Sequence, residues 1–296
     1  MLFFSTSAVF VRLAAPISPY EITFLRMVVA AATSAFAIVL TGVSNTGRFP
    51  REGRFAFYGL IAALHFLLFV TSLSFTSIAH SLSITYTAPV FIALGSWLWL
   101  HERLTPLQVA GVLVVVIGVG ILAGFEPRLD RRMLLGDGLA LLSAICFAIY
   151  SLAGRHERER YRLLPYTTTV YSLAALWLLP AFVVGFAGFG RPASIGGGWS
   201  VYSVRTVLAV LGAGILPLGI GHTLYNASVR RIPATFSNLI ATQEVTGGVI
   251  LGVLLLSEIP SITTVAGALV TLLGIGLVLI PGRQSQGRSS IEPQPV

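Results

Sequence analysis

The sequence predicts an all-α polytopic membrane protein of ten transmembrane helices, built as two inverted five-helix repeats. Three observations predict it. Only 10% of the 296 residues are charged, against roughly 25% in a soluble globular domain. The apolar runs, such as 109–122 and 245–256, are continuous, whereas a barrel would alternate over roughly ten-residue segments. A stretch near the middle of the chain also recurs at an offset of 156 residues, laying Glu102 over Glu258.

Hydrophobic residues make up 55% of the chain and mean hydropathy is +0.86, so most of the outer surface must face lipid. At roughly 20 apolar residues per span, 296 residues hold about ten spans and no sizeable extramembrane domain. The first, 2–15, has the length of a signal-peptide core. It lacks a basic leader and carries Arg12 inside its apolar stretch, so it reads as a span, its short length suggesting a start further upstream. Pro16 and Pro19 separate it from the second span, 20–42, and Arg48-Phe-Pro-Arg51 closes that one. Spans at 55–75 and 78–100 follow, the latter ended by His101-Glu-Arg103. The fifth, 106–124, stops at Glu126-Pro-Arg128, and the sixth, 136–154, at an arginine-rich run from 155 to 162. The seventh, 166–189, precedes the Gly196–Gly198 triplet, and the eighth, 206–229, meets Arg230-Arg231. The ninth, 233–256, opens on Pro233, and the tenth, 262–281, leads into a Gln-, Ser- and Pro-rich tail, 282–296, of disordered composition.

All 19 basic residues are arginine and the formal charge is +8. They sit in short loops, so positive-inside topology explains them and nucleic-acid binding is not expected. With both termini inside, twelve arginines fall on the cytoplasmic side and about six outside. The single cysteine, Cys146, excludes an internal disulfide and a multi-cysteine metal site, and no cofactor is expected.

The 156-residue shift lays Leu98–Gly120 over Leu254–Gly276 with ten of 23 positions identical, including Glu102/Glu258, Gly111/Gly267, Gly118/Gly274 and Gly120/Gly276. Duplication accounts for that register better than shared apolar bias. Each half, 1–125 and 126–281, has five spans. An odd number turns the second half upside down, and inverted repeats place a solute site near the midplane between them.

The run Ser81-Leu-Ser-Ile-Thr-Tyr-Thr-Ala-Pro-Val90, closing on Leu100-His-Glu102, resembles the fourth-helix signature of EamA-type drug/metabolite transporters. Val109-Ala-Gly111 and Gly118-Val-Gly120 resemble that family's fifth helix. Within the superfamily the chain most resembles bacterial YddG-type amino-acid exporters. The resemblance implies ten spans in the inner membrane, cytoplasmic termini, and export of amino acids, aromatic or hydrophobic ones among them, or related metabolites by alternating access. The short first helix departs from the family pattern.

Glu244 is the most informative residue. It lies mid-span, where an acidic side chain costs on the order of 2.5–3.5 kcal/mol, with Ser237, Ala241 and Gly248 on its face. It is read as a substrate-amine contact or a proton-coupling carboxylate, against a packing role. The shift matches that face to Ser81, Thr85, Ala88 and Gly95. Pro89 and the pair Gly247-Gly248 fall at corresponding depths and are candidate hinges. His65, Tyr86, His222, Tyr225, Asn226, Asn238 and Gln243 complete the candidate pathway residues, although any of them can equally join helices together. His80 is expected to be solvated near the outer end of the fourth span. Arg26 is expected to snorkel or to pair with Glu21, and Trp97 and Trp99 to mark an interface.

An intramembrane enzyme is the rival from another class, and it fits poorly. The only protease-like string, His101-Glu102, lacks the second histidine, which Thr105 replaces. Gly42–Thr46 fails the G-x-S-x-G pattern. A passive channel or facilitator stays open, although one chain with inverted repeats already encloses a pathway, which favours a monomeric carrier whose partners are a small solute and the bilayer.

Overall fold

The computed structural model describes residues 2–42, 49–100, 105–125, 130–157, 159–191, 198–231 and 241–280, and the side chains of 96–100, 123–125 and 229 are outside that description. Asn238, Ser237, Glu102, the side chains of Trp97 and Trp99, and the 282–296 tail therefore lie outside the described residues. The described residues contain helices and no strand. Six helices are long and apolar enough to cross a membrane, and four shorter apolar helices accompany them. The chain is a multi-pass membrane protein.

Helix starts are written in short polar residues. Helix α1 spans Leu2–Leu13, with a turn at Thr6. Helix α2 (Pro19–Thr41) opens on a capping box: Ser18 Oγ accepts from Glu21 N (3.2 Å) while Glu21 Oε2 accepts from Ser18 N (3.0 Å). It ends at Gly42, whose left-handed φ of 65° suits a residue without Cβ. Helix α3 (Arg54–Ser72) is followed by α4 (Ile78–Thr85), capped by Ser77, and α5 (Ala88–Leu100). Helix α6 (Pro106–Phe125) starts with Thr105 and Gln108 capping each other reciprocally. Asp130 caps α7 (Arg131–His156), which begins five residues earlier than the hydropathy run because the cap, not the apolarity, sets the start. Helix α8 (Leu163–Phe186) carries Pro180 internally. Then come α9 (Val204–Ala213), a π-helical segment Gly214–His222, α10 (Thr223–Arg231), α11 (Gln243–Leu256) and α12 (Ile262–Val278).

Two spans expected to be continuous are not regular. The fourth breaks at Tyr86-Thr87, three residues before its proline could bend it passively. Pro89 has no N–H to give the Thr85 carbonyl and its ring crowds that carbonyl. The chain turns tightly instead, with Thr87 N on Ile84 O (3.0 Å) and Val90 N on Thr87 O (2.8 Å). In the eighth span Pro217 interrupts the ladder in the same way, and the backbone widens into a π segment. Gly214 and Gly219 let that segment lie directly on α2, beside Val29 and Thr33. At Gly247-Gly248, by contrast, α11 continues without a break. Those glycines make room for Ser5 and Leu82, not a bend.

Helices α6 and α12 meet backbone to backbone. A Cβ on Gly274 would stand 2.6 Å from Val115 N and 2.9 Å from Gly111 O, and one on Gly267 would stand 3.0 Å from Gly118 O. A Cβ on Gly111 would lie 2.8 Å from Gly274 O, and Gly118 abuts Thr271. The contacts are reciprocal: Gly111 faces Gly274, and Gly118 faces Gly267. Gly120 and Gly276 face open space. Gly274→Val is therefore expected to destabilise the detergent-solubilised protein by about 1–3 kcal/mol through overpacking. Gly120→Ala and Gly276→Ala should be neutral or slightly stabilising, since alanine is the better helix former. Thermal unfolding of the three variants checks this.

Polar networks tie the described helices together at two opposite ends. At one, Arg12 reaches Glu258 (3.4 Å) and the Thr76 carbonyl (3.0 Å), and Glu258 accepts from Ile78 N (2.5 Å). His80 is buried there, with Nδ1 3.1 Å from Asp137 Oδ2 and Nε2 3.3 Å from Thr264 Oγ1. The solvated histidine expected from its place near a span end is corrected: α7 and α12 cover it. At the other end Arg54 binds Glu157 through two bonds (2.7 and 3.1 Å), joined by Tyr58. Beside them the Tyr161 phenol donates to Glu52 and holds that half-buried carboxyl below its usual range, and Arg230 donates to the Tyr161 carbonyl (2.7 Å).

Candidate functional site

Between these two ends the irregular segments converge. The helix break at Tyr86-Thr87, the π segment ending at His222 and the first turn of α11 all border one interior cavity. The cavity measures about 20 Å³, room for about one water. Its walls are Ser7, Arg26, His65, Phe66, Phe69, Thr85, Tyr86, Phe147, His222 and Glu244. Seven separate stretches of chain contribute to it, from both halves.

Each wall residue is placed by a local cause. Glu244 lies in the first turn of α11 and is 5% exposed. Its face also holds Ala241 and Gly248, both buried, so α1 and α4 can approach. Tyr86, freed by the helix break, donates its phenol proton to Glu244 Oε2. That bond joins the end of α4 to α11 across the cavity. His65 Nδ1 lies 3.0 Å from the Ser143 carbonyl, while the Ser143 hydroxyl donates back to the His65 carbonyl (3.0 Å). A carbonyl only accepts, so Nδ1 carries the proton. The His65 ring stacks on Phe147, with centroids 4.9 Å apart. The π segment turns His222 inward against Phe4 (4.5 Å) and Phe66 (5.0 Å).

Arg26 is the residue that sequence reasoning sent elsewhere. Snorkelling or pairing with Glu21 was the expectation, and both are corrected. Glu21 is taken by Arg191, whose Nε donates at 3.0 Å and whose Nη2 donates as well, and by Tyr202 (2.7 Å). Arg26 is 1% exposed and points inward, its guanidinium carbon 5.4 Å from the Phe66 ring centre. The signal was present in the sequence: a charge seven residues into a helix is about 10 Å below its start, too deep for easy escape.

Four polar atoms around the cavity have no hydrogen-bond partner among the described residues: Arg26 Nε and Nη1, Thr85 Oγ1 and His222 Nδ1. Orphaned polar groups this buried are costly, and here they line a single space.

Other candidate residues lie outside that lining. Ser81 Oγ is 2.5 Å from Ser72 Oγ and fastens α4 to α3. Tyr225 meets Ser151 (3.2 Å), and Asn226 donates to Tyr150 (2.7 Å) and to the His222 carbonyl (2.8 Å). They form a layer of bonds behind the wall. Gln243 is on the exposed face of α11, and Pro89 is buried just past the break. Ser7 and Phe147 were not expected, having no charge or motif to mark them. Among the described residues no group of three His, Cys, Asp or Glu side chains is placed to hold a metal.

The EamA-like transporter family model matches residues 1–124 and 134–280. An uncharacterised transporter of Archaeoglobus fulgidus is 23% identical over 263 residues, 89% of each chain. A probable terminal-alkyne amino-acid exporter of Streptantibioticus cattleyicolor is 27% identical, over 68% of this chain and 63% of its own length. The threonine/homoserine exporter RhtA of Salmonella typhimurium is 28% identical, over 69% of this chain and 66% of its own. A solved crystal structure superposes with a TM-score of 0.67 at 21% identity, covering 93% of this chain and 92% of that one, which speaks for the fold.

Proposed function

The chain belongs to the EamA-like transporter family, and we propose that it exports amino acids or closely related metabolites by alternating access around the central cavity. The observation that carries this reading is the cavity itself. It holds a buried acid and a buried base, is lined by orphaned polar atoms, and is bordered by two breaks in helix regularity. Discontinuous helices at the midplane are how secondary transporters present charges to a solute. Tyr86, Glu244, Thr85, His65 and His222 bind or pass the solute, and the Tyr86-Thr87 break ahead of Pro89 serves as a hinge. The named activities of two relatives, export of threonine and homoserine and of a terminal-alkyne amino acid, support the amino-acid class.

The ten spans comprise the six long helices and the four shorter ones, in two inverted halves, 1–125 and 126–281. The reciprocal contacts of Gly111 with Gly274 and Gly118 with Gly267 support the inversion, because a two-fold relation exchanges each pair with the other. In this reading the protein is a monomer in the inner membrane with both termini cytoplasmic. The small cavity and the closed networks at both ends correspond to an occluded state.

The test is counterflow in proteoliposomes holding the purified protein. Labelled amino acids should enter vesicles preloaded with unlabelled ones, saturably and with mutual competition. Linear, non-competing flux would make the protein a channel instead.

A further inference from the structure

The cavity has two poles, and among the described residues only one of them is hydrogen-bonded. Glu244 has Tyr86 as a donor. Arg26, 1% exposed, has two nitrogens with no acceptor among the described residues and an aromatic ring as its neighbour. A buried guanidinium without hydrogen-bond partners is among the costliest arrangements a helix bundle can hold. Arginine's planar fork of donors matches a carboxylate, which it binds through two parallel bonds. Thr85 Oγ1 and His222 Nδ1, equally unpartnered, add two smaller polar contacts on the same wall.

We propose that Arg26 is the carboxylate anchor of a zwitterion site whose opposite pole is Glu244, so that the cargo is a free α-amino acid read at both charged ends. This rests on the central cavity being the transport site. The ligand's carboxylate takes the orphaned guanidinium nitrogens. Its ammonium takes Glu244 and competes with the Tyr86 phenol for that carboxylate. Release of Tyr86 then loosens the bond joining the broken helix to α11, which couples binding to movement of the break. A cation lacking the carboxylate leaves Arg26 unpaired, and an anion lacking the ammonium leaves Glu244 beside a second negative group. The site therefore rejects both by leaving a buried charge uncompensated. The side chain of the cargo faces Phe66, Phe69 and Phe147, whose apolar surfaces give weaker discrimination among side chains.

The probes are the standard free amino acids, each compared with its primary amide, which lacks the carboxylate charge, and its α-hydroxy analogue, which lacks the ammonium. Both are near-isosteres. Protection of the purified protein against heating and inhibition of counterflow are the readouts. Wild-type protein should prefer the free amino acid over both analogues by about tenfold or more. Arg26→Gln should lose that preference over the amide while still binding the amide as wild type does, and Arg26→Lys should restore part of it. If wild type takes the amide as readily as the acid, or Arg26→Gln weakens acid and amide alike, the anchor assignment is overturned and the transporter reading stands. If no amino acid protects or competes in wild type, the amino-acid reading itself falls.

Discussion

Glu244→Gln is expected to slow amino-acid counterflow by about tenfold or more while leaving the amount of folded protein in the membrane unchanged. Glutamine has nearly the shape of glutamate, and its amide oxygen can still accept the Tyr86 phenol proton, so the bond between α4 and α11 survives. What disappears is the negative charge. The cavity wall then holds the Arg26 guanidinium alone and becomes cationic, which repels an incoming ammonium. A hydrogen bond to a charged group contributes about 1.5–3 kcal/mol, which corresponds to roughly 10–150-fold in affinity. The loss should appear as a raised half-saturation concentration for amino acids. Tyr86→Phe, which keeps the charge and removes the phenol donor, should be far milder in affinity and should alter the rate of exchange. Wild-type flux in Glu244→Gln at all pH values would remove Glu244 from the pathway.

Much of the fold was legible in the sequence because lipid imposes a simple rule: every buried backbone group must be satisfied within its helix. That rule leaves long apolar runs ended by Ser, Thr, Asp, Pro and Gly, and these set most of the observed helix boundaries, Ser18, Ser77, Asp130 and Ser261 among them. The irregularities were less legible. A proline within an apolar run signals a disturbance without saying whether the backbone breaks, as before Pro89, or widens, as around Pro217. The outcome depends on what packs against it, here α2 under the π segment. Glycine was ambiguous in the same way. Gly247-Gly248 suggested a bend and instead admits Ser5 and Leu82. Glu244, His65, Thr85, Tyr86 and His222 were identified because charge or polarity in a span is expensive. Arg26 was misassigned because one acid, Glu21, stood close in sequence, while its competing partner, Arg191, lies 170 residues away and is visible only in three dimensions.

Glu21→Ala is expected to be among the most destabilising single changes in the protein, by about 3–5 kcal/mol. The carboxylate is fully buried and accepts four hydrogen bonds from three residues: two from Arg191, one from the Tyr202 phenol and one from the Ser18 amide. Removing it undoes the capping box that starts α2 and, more expensively, leaves the Arg191 guanidinium buried without its counter-charge. Gly185 closes the same site from α8, because any Cβ there would press on Ser18 Oγ and lie 3.0 Å from Glu21 Cγ. The cluster thus ties the start of α2, the end of α8 and the Tyr202 turn into one block. Arg191→Ala should cost less, since Glu21 keeps two of its four donors, the Tyr202 phenol and the Ser18 amide. The double variant should be less unstable than the sum of the two singles, because the orphaned charge is then gone. Thermal unfolding of the four proteins in detergent measures the cycle. Additive losses would mean that the pair is bystander to the fold, and that α2 is held in place by packing along its length against α8 and the π segment.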